Sequence, residues 1–113
     1  MNVYDKAYEL KKAIEQLPEY ISYKEAVKKI NSNEQNKRML KDFKEKQLEI
    51  HVKELSGKKP DEQEIESLKK LYDILNLNPD LSSYLYAEYT FSKIMDDITK
   101  IITEVVNVNS TNK

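Results

Sequence analysis

The sequence predicts an all-α protein: an antiparallel bundle of about five helices that associates as a dimer. Three observations lead there. Glycine occurs once and proline three times in 113 residues, while Lys, Glu, Leu and Ile abound. Those side chains lose little rotamer freedom in a helix. Apolar residues recur at steps of three and four, the spacing of a helix with one buried face. The last such segment carries a heptad seam: Tyr84, Phe91, Ile98 and Val105 fall seven apart, and Ala87, Ile94, Ile101 and Val108 follow each by three. That is the a/d spacing of a surface that packs against other helices.

The first helix is expected over residues 3–17. Val3, Ala7, Leu10, Ile14 and Leu17 share one face, and Asn2 is the N-cap with Asp5 in the first turn. Pro18 interrupts the pattern, since it lacks an N–H and disfavours helical dihedrals at Leu17. The second helix spans about 19–30 with Tyr20, Tyr23, Ala26, Val27 and Ile30 as its stripe. Asn31, Ser32 and Asn33 break it, because their side chains compete for backbone hydrogen bonds.

The third helix is long, 34–55, and Asn33 caps it. Met39, Leu40, Phe43, Gln47 and Ile50 make one stripe; Leu48, Val52 and Leu55 make a second, well over a quarter turn away. Two stripes call for two neighbours. Gly57 ends the helix as a left-handed C′ residue. The fourth helix opens at Asp61, where Asp61 and Glu64 have capping-box spacing, and buries Ile65, Leu68, Leu71, Tyr72 and Leu75. Asn76-Leu77-Asn78-Pro79 stops it. The fifth helix, 80–106, carries the seam. Residues 1–106 form a single helical domain, and 107–113 are a polar, disordered C-terminal tail. Short connections favour antiparallel neighbours, with helices three and five as the axis of the core.

Composition excludes several functions. The chain has no Cys, so disulfides, thiolate metal sites and thiol nucleophiles are absent. MNVYDKAYEL lacks the apolar core of a signal peptide, and no apolar run is long enough to span a bilayer, so a cytoplasmic protein with no membrane insertion is expected. Charge is uneven: residues 1–59 carry a net +4 and residues 60–113 a net −5. The two halves attract one another, within or between subunits, or the basic half contacts RNA.

No spacing gathers groups that do chemistry. His51 is the lone His, with Glu54 and Gln47 nearby; that is too few ligands for a transition metal. Asp96 and Asp97 point about 100° apart and cannot converge as an acid–base pair. Asp97 is expected to form a salt-bridge ladder with Lys93 and Lys100. Eight Tyr, three of them at 84, 86 and 89, suit packing or a protein interface better than base stacking, because Ser82–Thr90 holds no Lys or Arg. Lys37, Arg38, Lys41 and Lys44 are the nucleic-acid candidates, interrupted by Glu34, Asp42 and Glu45.

The order of features resembles the YlbF/YmcA-like family of small bacterial helical regulators, and within it the YheA-like branch. The resemblance runs from Asn2 to about Ile102. It is carried by Asn2-Val3-Tyr4-Asp5 with Ala7, Leu10 and Ala13, by Glu19-Tyr20 leading to Tyr23-Lys24-Glu25-Ala26, and by Asn33-Glu34 with Met39, Phe43 and Gln47. Gly57-Lys58, Ala87-Glu88 and Met95 to Ile102 complete it. The resemblance implies long antiparallel helices, a dimer or higher oligomer, and no enzymatic activity. It also implies an adaptor role that influences RNA processing by a membrane-anchored endoribonuclease, and through it competence, sporulation and biofilm formation. Some members carry a Cys-bearing tail associated with an iron–sulfur cluster, which this Cys-free chain does not share.

The expectation is therefore a non-enzymatic adaptor or regulatory protein with no cofactor, no metal and no small-molecule substrate. Its partners are a second copy and another cytoplasmic protein. The self-association candidates are Met39, Phe43, Ile50, Tyr84, Phe91, Ile94, Ile98, Ile101 and Val105. Direct RNA binding through the Lys-rich face of 34–55 is the alternative.

Overall fold

The computed structural model describes residues 2–108. Five helices follow one another: α1 (Val3–Glu15), α2 (Pro18–Asn31), α3 (Glu34–Leu55), α4 (Glu62–Asn76) and α5 (Pro79–Thr103). There is no strand among the described residues. Of the tail expected at 107–113, residues 109–113 lie outside the described ones.

The caps explain where the helices start. The Asn2 side chain accepts from the Tyr4 N–H at 2.8 Å, and the Asn33 side chain accepts from the Asn36 N–H at 3.0 Å. At α4 the capping box forms: Asp61 Oδ1 accepts from the Gln63 N–H at 3.3 Å, and Glu64 Oε1 accepts from the Asp61 N–H at 3.4 Å. Gly57, at φ +78°, closes α3; the Lys58 N–H bonds the Lys53 carbonyl at 2.9 Å and the Gly57 N–H bonds that of Glu54 at 3.2 Å. This is the six-to-one and five-to-two pattern of a Schellman ending.

Two helix starts and two helix ends differ from expectation. Pro18 and Pro79 do not precede their helices but open them. Proline suits the first helical position, where its missing N–H has no intrahelical partner to lose. The restriction Pro18 places on Leu17 in turn ends α1 at Glu15, two residues early. Likewise α5 stops at Thr103 rather than 106. Its last turns tighten, with the Val106 N–H on the Thr103 carbonyl at 2.9 Å, and the Thr103 hydroxyl donates to the Thr99 carbonyl at 2.9 Å. Three β-branched residues among 103–106 weaken the helix there.

The chain clusters into two compact units, residues 2–24 with 86–108 and residues 25–85, so that α2 and α5 each contribute to both. In the 25–85 unit, α3 and α4 form the closely packed helical pair. The core there holds Ala26, Ile30, Leu40, Phe43, Leu75, Leu81 and Tyr84, of which Leu75 and Leu81 are fully enclosed. The close partner of α3 is thus α4, not α5 as the sequence suggests. A six-residue connection (56–61) returns the chain at once, and Lys53 pairs with Glu64 across it. The Phe43 and Tyr72 rings meet further along at 5.8 Å. In the other unit, Phe91 sits against Tyr20 and Tyr23, each at 5.3 Å between ring centroids.

Candidate functional site

The residues singled out by the sequence divide sharply by exposure. Phe43 (5% exposed) and Tyr84 (4%) belong to the interior of the chain itself. Tyr84 also accepts a hydrogen bond on its hydroxyl from Lys44 Nζ at 2.7 Å, with the ammonium 5.1 Å from the ring centroid. Met39, Ile50, Phe91, Ile94 and Ile98 are half-buried. Ile101 and Val105 are exposed, at 65% and 77%. The seam is therefore enclosed at Tyr84 and Ala87, half-buried from Phe91 to Ile98, and open from Ile101 onward.

The second stripe of α3 is exposed along its whole length: Leu48, Val52 and Leu55 are 61%, 51% and 75% accessible. At 100° per residue these three lie on the side of α3 opposite Phe43 and Ile50. The same face continues toward the N-terminus as a shallow groove with Ile30, Leu40 and Leu48 on its floor. Lys37, Lys41, Lys44 and Glu45 line it as well. A second groove, in the other unit, is floored by Leu10, Ile14, Phe91 and Met95.

The nucleic-acid candidates do not form a uniform basic surface. Lys37, Arg38 and Lys41 share their groove with Glu34, Asp42 and Glu45, and Lys41 lies 4.0 Å from Glu45. The ladder expected for Asp97 with Lys93 and Lys100 is not formed; among the described residues Asp97 takes part in no ion pair. In the Lys93–Asp97 pair the cation precedes the acid, the less favourable order along a helix. His51 is exposed, and no group of three metal-ligating side chains occurs among the described residues. Among the described residues no helix is long and apolar enough to cross a membrane.

Several exposed apolar residues escaped the candidate set. Val3, Tyr4 and Tyr8 on α1, Ile74 on α4 with Leu77 just past it, and Ile102 on α5 with Val106 beyond its end are all more than half exposed. Only Val3 stands on a stripe, so periodicity marks it as core; the others fall between stripes and give no periodic signal.

An electrostatic clamp spans the α3–α4 turn. Lys53 Nζ bonds Glu64, and chiefly through this bond the Glu64 carboxyl is held below the usual carboxylate range. The Asp61 N–H and the charges of Lys53 and Lys46 act in the same direction.

The exposed apolar residues thus lie on regular helical faces in both units. A UPF0342 protein of Caldicellulosiruptor saccharolyticus is 45% identical over 95% of this chain and 89% of its own length. A UPF0342 protein of Clostridium tetani is 38% identical over 96% and 94%. A solved structure, a protein of unknown function (DUF964) from Bacillus stearothermophilus, shares the fold with a TM-score of 0.78 at 22% identity, over 92% of this chain and 91% of that one. The sequence model of the family described as "Control of competence regulator ComK, YlbF/YmcA" matches residues 3–107, and the chain belongs to that family.

Proposed function

We propose that this chain is a non-enzymatic helical adaptor that self-associates and holds a second protein, in the control of the competence regulator named for its family. The processes implied by the resemblance are RNA processing, competence, sporulation and biofilm formation. The observation that carries the reading is apolar surface left in water: Leu48, Val52 and Leu55 along α3, Ile101 on α5 and Val105 just past its end. Contiguous apolar faces of this kind mark interaction surfaces. The family description names regulation and no reaction.

Sedimentation velocity at micromolar concentration tests it. The wild-type chain is expected to sediment as a dimer. Ile101→Asp places a charge on the exposed end of the seam and shifts the protein to monomer with helicity unchanged. Phe91→Asp is the control, because Phe91 contacts Tyr20 and Tyr23 within its own chain. It is expected to lose helicity rather than merely split a dimer. A wild-type monomer at these concentrations sinks the reading.

A further inference from the structure

We infer that two copies of the chain join through the unit formed by 2–24 and 86–108, with the second half of α5 packed antiparallel on its counterpart about a twofold axis at Ile98. The inference rests on the self-association reading and names the surface it uses. The outward face of α3 is left for the second protein.

The two units differ in what they enclose. The 25–85 unit has a core of its own, with Leu75 and Leu81 fully covered beside Phe43 and Tyr84. In the other unit only Ala87 is buried among the described residues, and α1 buries nothing. Its larger apolar side chains are half-buried at best. A small unit that cannot enclose a core of its own is completed by disulfides, metals or oligomerisation. The chain has no Cys, and no group of three metal-ligating side chains occurs among the described residues. Oligomerisation is left, and a second copy is the occupant at hand wherever the chain is made.

The surface of this unit suits such a pairing. At about 100° per residue, Ile94, Met95, Ile98, Ile101 and Ile102 span a third of the circumference of α5. Lys93, Asp96 and Lys100 fall on the opposite side, so the face itself carries no charge. Its N-terminal part is concave, because Phe91 and Met95 share a shallow groove with Leu10 and Ile14. Its C-terminal part stands open, with Ile101 and Ile102 at 65% and 53% exposure. An antiparallel pair centred on Ile98 sets Ile94 against the partner's Ile101 and Met95 against the partner's Ile102. Each open end then fills the groove of the other copy, and the twofold makes the two contacts equal. A parallel pair sets groove against groove and fills neither. Asp97 lies at the edge of the face near its counterpart, exposed, where solvent and salt screen the repulsion. Ile101 and Ile102 leave about 100 Å² each to water and the half-buried side chains of groove and seam about 50 Å² each; covered in both copies they make roughly 1,000 Å², what a specific interface needs.

Without native Cys, single cysteines report position cleanly. Ile94→Cys and Ile102→Cys are prepared separately, mixed, allowed to exchange and treated with a short bismaleimide. In the proposed register Ile94 faces the partner's Ile102, while eight residues, ~12 Å of helix, separate either cysteine from its own twin. The expected result is a cross-linked dimer in the mixture and in neither variant alone. Each variant cross-linking with itself is the mark of a parallel pair and overturns the inference. So does the absence of any cross-link in a sample that sediments as a dimer, and in both cases self-association stands. Monomers throughout remove the inference and the self-association reading together. Hydrogen exchange is the second measurement. In the Ile101→Asp monomer, amides of 2–24 and 86–108 are expected to exchange about tenfold faster than in wild type, and those of 25–85 at the wild-type rate. An Ile101→Asp protein that stays dimeric, or one whose faster exchange is confined to 25–85, overturns the inference.

Discussion

Asn78 does more than its place in a breaker sequence implies. Its carbonyl accepts from the Ser82 N–H at 2.8 Å, and its side-chain oxygen accepts from the N–H groups of Asp80 (3.0 Å) and Leu81 (3.4 Å). It is therefore the N-cap of α5, with Pro79 behind it in the first helical position. Its amide donates to Asn36 Oδ1 at 2.9 Å, and among the described residues Asn36 is the one buried polar residue. Asn33 caps α3 through the Asn36 N–H, so three asparagines join the starts of α3 and α5. Asn78→Ala removes a cap and strands a buried acceptor, and is expected to cost about 2–4 kcal/mol in a urea titration. Asn33 was legible as a cap from sequence; Asn78 was not, because Asn before Pro reads equally well as a stop. Nothing local to Asn36 announces a partner 42 residues away.

Glu64 sets a second test at this scale. Its carboxyl is held below the ordinary value of 4.5, first by the bond from Lys53. A carboxylate with a depressed folded-state pKa contributes stability that is full above its unfolded value and lost as the pH falls through the lowered one. Glu64→Gln keeps an acceptor for the Asp61 N–H and drops the charge. The stability gap between wild type and Glu64→Gln is expected to be constant at neutral pH and to shrink below pH ~4.5. Denaturation curves at several pH values measure it; a gap independent of pH removes the clamp.

At the scale of elements, helix identity came through clearly because the apolar period is unambiguous and the breakers are few. All of α3 and the starts of α1 and α4 fall where cap chemistry placed them. The turn between α3 and α4 depends on the chain's one glycine, at φ +78° with open space where a Cβ would stand. Gly57→Ala therefore meets no clash and bears only the cost of a left-handed backbone. It is expected to lower stability by about 1–2 kcal/mol, read from the shift in urea midpoint. Which faces of these elements are covered was less legible. The two stripes of α3 look alike in sequence, yet Leu40 and Phe43 are enclosed while Leu48, Val52 and Leu55 are open. Likewise the a/d seam of α5 keeps one pattern throughout, although its first half is covered and its last turns are not. A periodic pattern says that a face is apolar; it carries no information on how far the neighbouring helices reach along it.

For the molecule as a whole, the exposed ends of these faces link stability to concentration. Association that buries them binds the folded state and not the unfolded one, so it raises the midpoint of melting by mass action. Under the proposed dimer, thermal melting of the wild-type chain is expected to rise by a few degrees per hundredfold increase in concentration. Ile101→Asp should melt at a fixed temperature. Scanning calorimetry at two concentrations distinguishes them, and a wild-type midpoint that does not move counts against association.

Helix content, the caps at Asn2, Asn33 and Asp61, the left-handed turn at Gly57 and the family all follow from local chemistry and short-range periodicity, which a linear chain displays in full. Coverage does not. That α3 pairs closely with α4, that Phe43 and Tyr84 are interior, and that Leu48 and Val105 are left to water depend on which segments meet in space. Those meetings are set by contacts between residues far apart in the chain, so the same apolar stripe can become core or interface according to what the rest of the fold brings beside it.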